Sequence, residues 1–274
     1  MTEEKLPPTE QRNPASSHFG ELSAREVVTL MNREERRVLT ALESAEAELA
    51  AIAEQIAARM SVGGRVFLLG AGTSGRLAAQ EVAELPPTFG VDPALFRAIT
   101  PGDQPVQAER TAPNEDDTEA APLALALAGV NADDIAIGVS ASGTAPFVLT
   151  GVAAAATLGA WTCGIANNPG TPLLDLPDLG VLLDTGPEVL TGSTRLKAGT
   201  AQKLALNRIT TAAMVLSGRV MSNHMVELVG SNRKLRARAA RILIDLSGCT
   251  FEEACRSLEA SGWSVRTALG RSAD

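Results

Sequence analysis

Two hydrophobic periods alternate along this chain. From Glu21 to Met60 apolar residues recur at helical spacing, so two helices are predicted to lead in, and Gly63-Gly64 ends them. RVFLL (65–69) is then a short apolar run stopped by Gly-Ala-Gly, the pattern of a strand buried on both faces, and a helix is predicted to begin near Ser74. Strand-like runs return at ALFRAIT (94–100), DDIAIGVS (133–140), WTCGIAN (161–167) and LGVLLDT (179–185), with a helix over APFVLTGVAAAATLG. The alternation predicts an α/β fold: a doubly wound, mostly parallel open sheet with right-handed crossovers and helices on both faces. Such sheets bind ligands at the carboxyl ends of their strands. A long helical stretch follows from Ser193 to about Val220, then NRKLRARAARILIDLSG as a helix and CTFEEACRSLEASGWSVRTALG as a helical hairpin. The expected organisation is a polar arm over 1–20, a main domain with its lead-in helices over 21–222, and a small helical subdomain over 223–274.

Composition narrows the choices. A chain of 274 residues with 45% hydrophobic and 20% charged residues can bury a full core. Ala and Gly are abundant and Tyr is absent, so close backbone packing is expected. A net charge of -8 leaves no basic field for nucleic acid or an anionic membrane, so an anionic ligand must be held locally. No apolar run approaches the roughly 20 residues that span a bilayer, and the first residues, MTEEKLPPTEQRNPASS, carry no signal-peptide core. Cys163, Cys249 and Cys255 are odd in number and lack CxxC spacing, as in a cytoplasmic protein with reduced thiols. With only His18 and His224 besides, no metal site is expected.

The candidate chemistry lies at the ends of strands. Gly70-Ala71-Gly72-Thr73-Ser74-Gly75 formally matches the dinucleotide fingerprint GxGxxG. That fingerprint needs an acid about 20 residues on, at the end of the next strand, and the first acid there, Asp103, lies beyond 25 residues. The loop instead offers backbone N–H groups, two hydroxyls and a helix N-terminus, which together make a phosphate cradle. Ser140-Ala141-Ser142-Gly143-Thr144 repeats the arrangement after another strand, and two such loops can close around one phosphate. Helix N-capping is the plainer reading of each. In the third segment, Gly186 to Lys197, Ser193 or Thr194 can cap a helix whose first turn carries Arg195 and Lys197. Those cations oppose the helix dipole, a conflict that a bound anion or a nearby carboxylate such as Glu188 would relieve.

In order along the chain, TEQRNP (9–14), GAGTSGRL (70–77), ELPPTFGV (84–91), NEDD (114–117), SASG (140–143) and GPEVLTGSTRLKAGTAQKLALN (186–207) resemble the sugar isomerase (SIS) domain superfamily and, within it, the N-acetylmuramic acid 6-phosphate etherases. The likeness runs from about residue 8 to 270. It implies a cofactor-free homodimer that cleaves the D-lactyl ether of N-acetylmuramic acid 6-phosphate, giving N-acetylglucosamine 6-phosphate and D-lactate in cell-wall sugar recycling. It implies Glu84, in E-x-PPTFG, as the proton donor and Glu115, in the E-D pair, as the second catalytic carboxylate. Gly72, Thr73, Ser74, Ser140, Ser142, Gly143, Thr144, Glu188, Ser193, Thr194 and Lys197 are the expected substrate- and phosphate-binding residues. Glu188 stays a rival for the C2 proton, because related SIS isomerases use the glutamate at this place. Another phosphosugar isomerase or lyase, or a non-catalytic phosphosugar sensor, stays open as well.

The chain departs from the family in two places. Where ASGRTPY is usual, Thr144 replaces the arginine, keeping a hydroxyl donor but losing a charge. Where E-G-A-E-D is usual, Thr111-Ala112-Pro113-Asn114-Glu115-Asp116 keeps only the second glutamate, and the C-terminus is expected to stop early. Helix arithmetic adds a constraint. If 74–84 is one helix, Glu84 sits about 15 Å along its axis from Ser74, too far for one sugar. Either Glu84 serves a loop of the other subunit, or the helix turns away before Glu84.

Overall fold

The computed structural model describes residues 6–102 and 115–271. Asp103 and Thr111 to Asn114 lie outside the described residues. Lead-in helices α1 (Ala24–Glu34), α2 (Arg36–Ser44) and α3 (Glu46–Met60) precede β1 (Val66–Gly70), α4 (Gly72–Phe89) and β2 (Phe96–Ile99). Then come α5 (Ala120–Leu127), β3 (Ile135–Ser140), α6 (Pro146–Thr157), β4 (Trp161–Ala166), α7 (Pro172–Asp175) and β5 (Leu179–Leu182). The chain continues through α8 (Lys197–Leu216), a hairpin of β6 (Val220–Met221) and β7 (His224–Met225), and helices α9 (Arg233–Ser247), α10 (Phe251–Ala260) and α11 (Val265–Arg271).

All five predicted strands form, and they pair in parallel in the order β2-β1-β3-β4-β5. Alternating residues bury the two faces. Val66, Leu68, Ile135 and Ile137 join a core with α2, α3, α4 and α8, whereas Phe67, Leu69 and Ala136 join one with α5 and α6. The result is three layers, helices on sheet on helices. The expected close packing is literal at Gly164, where a Cβ would lie 1.9 Å from the Leu173 carbonyl oxygen. Helices α9 to α11 close a third core of their own around Leu243, Leu258 and Val265. Among the described residues no helix is long and apolar enough to cross a membrane.

Several elements differ from the periodicity reading, the short helix α7 and the β6–β7 hairpin among them. The lead-in is three helices, because the turns at Glu35 and Ala45 tighten to three-residue bonds, Val38 N–H to Glu35 O at 3.0 Å and Ala45 N–H to Leu42 O at 3.3 Å. Helix α5 falls in a run of Ala and Leu, broken only by Pro122, with no polar phase to read. The polar arm is docked: Thr9 and Asn13 are buried against the strand ends.

At the opposite, amino ends of the strands, Asp134 staples β1 to β3. It accepts from Arg65 N–H (2.8 Å), Nε (3.1 Å) and Nη2 (2.6 Å), and from Asn131 N–H (3.1 Å). Burial works against its charge, but these donors and the Arg65 charge outweigh it and hold the carboxyl below its usual range. Asp134→Ala is expected to cost about 3 kcal/mol in urea unfolding at pH 7, since it strands a partly buried guanidinium. A depressed carboxylate stabilises the fold above its unfolded pKa, about 3.9, and the contribution fades as pH falls through the folded value. The deficit of the variant is therefore expected to shrink below about pH 4, and a pH-independent deficit would contradict the assignment.

Candidate active site

The sheet reverses its winding between β1 and β3, whose ends stand side by side, Gly70 opposite Val139. Helix α4 leaves β1 on one face and α6 leaves β3 on the other, so the loops diverge and open a crevice there. Both hydroxyl-rich loops flank this crevice. Helix capping does not account for their hydroxyls: the N-caps of α4 and α6 are Ala71 and Ala145, neither with a side-chain cap.

In the first loop, Gly72 takes a positive φ of 55° and starts α4. Ser74 is buried, and its Oγ donates to Gln202 Oε1 at 2.8 Å; Gln202 Nε2 donates to Asn167 Oδ1 at 2.9 Å, and Asn167 Nδ2 to Leu183 O at 2.8 Å. The segments after β1, β4 and β5 are thereby tied to α8 through one hydrogen-bonded chain. Half-buried Thr73 accepts at Oγ1 from Arg76 Nη2 at 3.0 Å, which sets a guanidinium at the loop that the sequence reading did not include. The uncapped N–H groups, the helix dipole and this cation all favour an anion.

In the second loop, Ser140 Oγ and Ser142 Oγ share a hydrogen bond of 3.1 Å, Gly143 N–H donates to Ser140 Oγ at 3.2 Å, and Thr144 N–H to Ser142 Oγ at 3.2 Å. Gly143 has a φ of 73°, and a Cβ there would lie 2.2 Å from Thr171 Oγ1, so conformation and space both demand glycine. Thr144 is exposed.

The third loop resolves its charge conflict internally. Neither Ser193 nor Thr194 caps α8, a correction to the sequence reading: the helix starts at Lys197 with Leu196 as its N-cap. The cap is the carboxylate of Glu188, buried completely, which accepts from Lys197 N–H at 3.1 Å and Ala198 N–H at 2.9 Å. Burial raises the Glu188 carboxyl above its usual range, opposed by those two donors and the Lys197 charge. Lys197 is 1% exposed, and its Nζ donates to Glu34 Oε2 at 3.0 Å and Pro187 O at 2.7 Å. Both residues thus shape the loop from beneath. Half-buried Ser193 and Thr194 sit in the loop they close. A Cβ on Gly199, in the first turn of α8, would lie 3.5 Å from Thr73 Cγ2, which places this loop beside the first.

The two proposed catalytic carboxylates are placed differently. Exposed Glu115 accepts at its backbone oxygen from Phe147 N–H at 3.0 Å, so it stands at the head of α6 beside the second loop. Glu84 is exposed on α4, which runs unbroken from Gly72 to Phe89 and so excludes a turn before Glu84. It therefore lies about 15 Å along the axis from Ser74. One turn earlier, buried Glu81 accepts from Thr210 Oγ1 at 2.6 Å and Asn207 Nδ2 at 2.8 Å. Burial raises its carboxyl, against the pull of Thr210 and Lys203 and with the help of the Glu84 charge.

Two hydroxyl-bearing loops at the switch point of a 2-1-3-4-5 sheet fit the class of a SIS domain, and the SIS domain family matches residues 32–167. The fold likewise superposes on a phosphoheptose isomerase from Neisseria gonorrhoeae, with a TM-score of 0.51 and 20% identity, over 72% of this chain and 100% of that one. N-acetylmuramic acid 6-phosphate etherases from Geobacillus thermodenitrificans and Trichormus variabilis are 42% and 43% identical over 261 residues, 95% of this chain and 88% and 85% of theirs. The chain belongs to the N-acetylmuramic acid 6-phosphate etherase family.

The amide chain behind the first loop predicts a cost for its loss. Gln202→Leu leaves Ser74 Oγ and Asn167 Oδ1 without their partner and is expected to destabilise by about 2 kcal/mol in denaturant unfolding. A change within about 0.5 kcal/mol would show that water replaces the amide.

Proposed function

We propose that the crevice anchors the phosphate of N-acetylmuramic acid 6-phosphate and that the protein cleaves its lactyl ether, a carbon-oxygen lyase reaction that consumes water. Relatives of about 40% identity along nearly the whole chain carry this name, and the single structural observation behind the reading is the convergence of two hydroxyl-bearing loops and an uncapped helix N-terminus at the switch point. In the open-chain sugar the C2 hydrogen is acidic because it is α to the aldehyde. One carboxylate removes it, the electron pair forms the C2=C3 bond, and the C3–O bond breaks as a second group protonates the lactyl oxygen. Water then adds, its oxygen to C3 and a proton to C2, and both groups regain their starting states. One must begin as base and the other as acid.

Glu84 is the acid and Glu115 the base in this reading. Glu115 stands at the second loop of its own chain, whereas Glu84 is about one helix length of 15 Å from its own first loop. We therefore infer a homodimer in which Glu84 reaches the partner's crevice. An open groove of about 630 Å³ between α2, α3 and α8, lined among others by Leu39, Leu42, Leu49 and Ala212, supports a self-association surface in the helical layer that contains α4. Exposed Leu39, Val215 and Leu216 on α2 and α8 add to it. A sugar isomerase would instead use Glu188 for the C2 proton; here both its oxygens are held by backbone N–H groups and it has no solvent contact. Phosphosugar chemistry, three free thiols and no membrane-crossing helix among the described residues accord with the cytoplasm.

Turnover of N-acetylmuramic acid 6-phosphate in heavy-oxygen water is expected to give free D-lactate and label on C3 of N-acetylglucosamine 6-phosphate. Tight phosphosugar binding without lactate would turn the reading to a sensor. Glu84→Ala and Glu115→Ala are each expected to lower kcat at least about 100-fold while leaving substrate binding intact; full activity in either removes that residue from the mechanism.

A further inference from the structure

The arm and the third loop meet in a closed, buried ring of four groups. Asn13 Nδ2 donates to Glu34 Oε2 at 2.7 Å and to Pro187 O at 3.0 Å; Lys197 Nζ donates to the same two acceptors, at 3.0 and 2.7 Å. Asn13, Glu34 and Lys197 are 6%, 8% and 1% exposed. Burial opposes the Glu34 charge, but the hydrogen bonds from Asn13 and Lys197, with the Lys197 charge, hold its carboxyl below the usual range. The ring spans three stretches far apart in sequence, the arm, the end of α1 and the loop after β5. Pro187 adjoins Glu188, whose carboxylate caps α8 at Lys197 and Ala198, so residues 187–188 and 197–198 are bound to each other twice over. The eight residues between them, 189–196, form a loop that carries Ser193 and Thr194 and is held besides by its own turns and by α8, where Gly199 N–H donates to Thr194 O at 2.8 Å.

The arm touches that loop a second time. A Cβ on Gly192, at the loop's turn, would lie 3.2 Å from Glu10 Oε2, so the arm's first 3-10 turn, Pro8–Glu10, stands against it. One residue earlier Thr9 is bound to the other side of the crevice. Its N–H donates to Asn168 Oδ1 at 3.1 Å, and its Oγ1 accepts from Asn168 Nδ2 at 2.9 Å, the same amide nitrogen that lies 3.4 Å from Ser142 O in the second loop. Residues 9–13 therefore bridge the second and third loops across the mouth of the site. Nothing in the fold's own core needs this strap, since its buried residues are polar and absent from the apolar clusters.

We propose that the N-terminal arm is a working part of the phosphosugar site and that Asn13 is a positioning residue, which sets the third loop through the Glu34–Lys197–Pro187 ring. The inference rests on the assignment of the third loop to the phosphosugar site. Without Asn13, Glu34 keeps Lys197 and the helix cap survives, so the fold persists while the arm releases the loop. The effect belongs in substrate affinity. The chemical step, which depends on Glu84 and Glu115, is untouched.

The test compares the full-length protein with Asn13→Ala, Asn13→Asp and the double variant Asn13→Asp/Glu34→Gln. Asn13→Asp sets a second carboxylate against Glu34 and Pro187 O, while the double variant removes the clash with residue 34 but still leaves Pro187 O without the Asn13 donor. For lactate release, KM is expected to rise about 10-fold in Asn13→Ala and further in Asn13→Asp, with kcat within about 2-fold, and the double variant should recover to about the level of Asn13→Ala and no further, since an aspartate there cannot donate to Pro187 O; each factor of 10 corresponds to about 1.4 kcal/mol. Amide exchange should quicken at 189–196 in Asn13→Ala and spare β3. A lower melting temperature with unchanged KM and unchanged exchange at 189–196 overturns the proposal. Should the parent release no lactate, calorimetric binding of N-acetylglucosamine 6-phosphate replaces KM: weaker binding in Asn13→Ala upholds the positioning role while the etherase reading falls, and equal binding overturns it.

Discussion

A carboxylate that caps a helix from nine residues upstream sets the geometry of this site. Glu188 takes the N–H groups of Lys197 and Ala198, and by doing so it fixes where α8 begins, removes the dipole conflict of the lysine, and folds the intervening residues into a loop. The rest of the crevice is registered on α8. Gln202, just over one turn in, receives the Ser74 hydroxyl and passes the link to Asn167 at the end of β4; Gly199 lets the helix approach Thr73; Lys197 holds Glu34 and the Pro187 carbonyl. The first and third loops are thus placed by one buried helix end, not by contacts with each other at the surface.

Electrostatics divides the carboxylates into two kinds. Glu34, Glu81 and Glu188 are buried, and each is bound by partners within the chain, which makes them parts of the frame. Glu84 and Glu115, the proposed catalytic pair, are exposed, so a substrate can reach either. The elements proposed to hold the phosphate are of another kind again: uncapped backbone N–H groups, hydroxyls and Arg76. Thr144, where the family carries arginine, leaves the second loop without a charge, and Arg76 beside Thr73 supplies one at the first.

The sheet was legible in the sequence because each strand is an apolar run bounded by turn residues, and a parallel strand buried on both faces can be little else. The two hydroxyl loops were legible for the same reason, as they follow such strands. Helix α5 was not, since AAPLALAL has no polar side to reveal a period. The start of α8 was misjudged because Ser193 and Thr194 are ordinary capping residues, whereas a cap supplied by Glu188 depends on tertiary contact. Gln202 did leave a trace, a polar residue on the stripe of Ala198, Ala205 and Ile209. The docking of the arm left none: Thr9 and Asn13 are hydrophilic, and their burial is repaid by partners more than 20 residues distant for Asn13 and Glu34 and 159 for Thr9 and Asn168.

The proposed reaction needs a site shared between two chains, because an unbroken α4 carries Glu84 away from its own first loop while Glu115 stays by its own second loop. Heterodimers of Glu84→Ala with Glu115→Ala, isolated through two different affinity tags, measure this directly. In a two-fold dimer with shared sites, one of the two crevices regains both carboxylates, and lactate release is expected at about half the parent rate. Heterodimers as inactive as either parent variant would place both carboxylates in one chain and contradict the account.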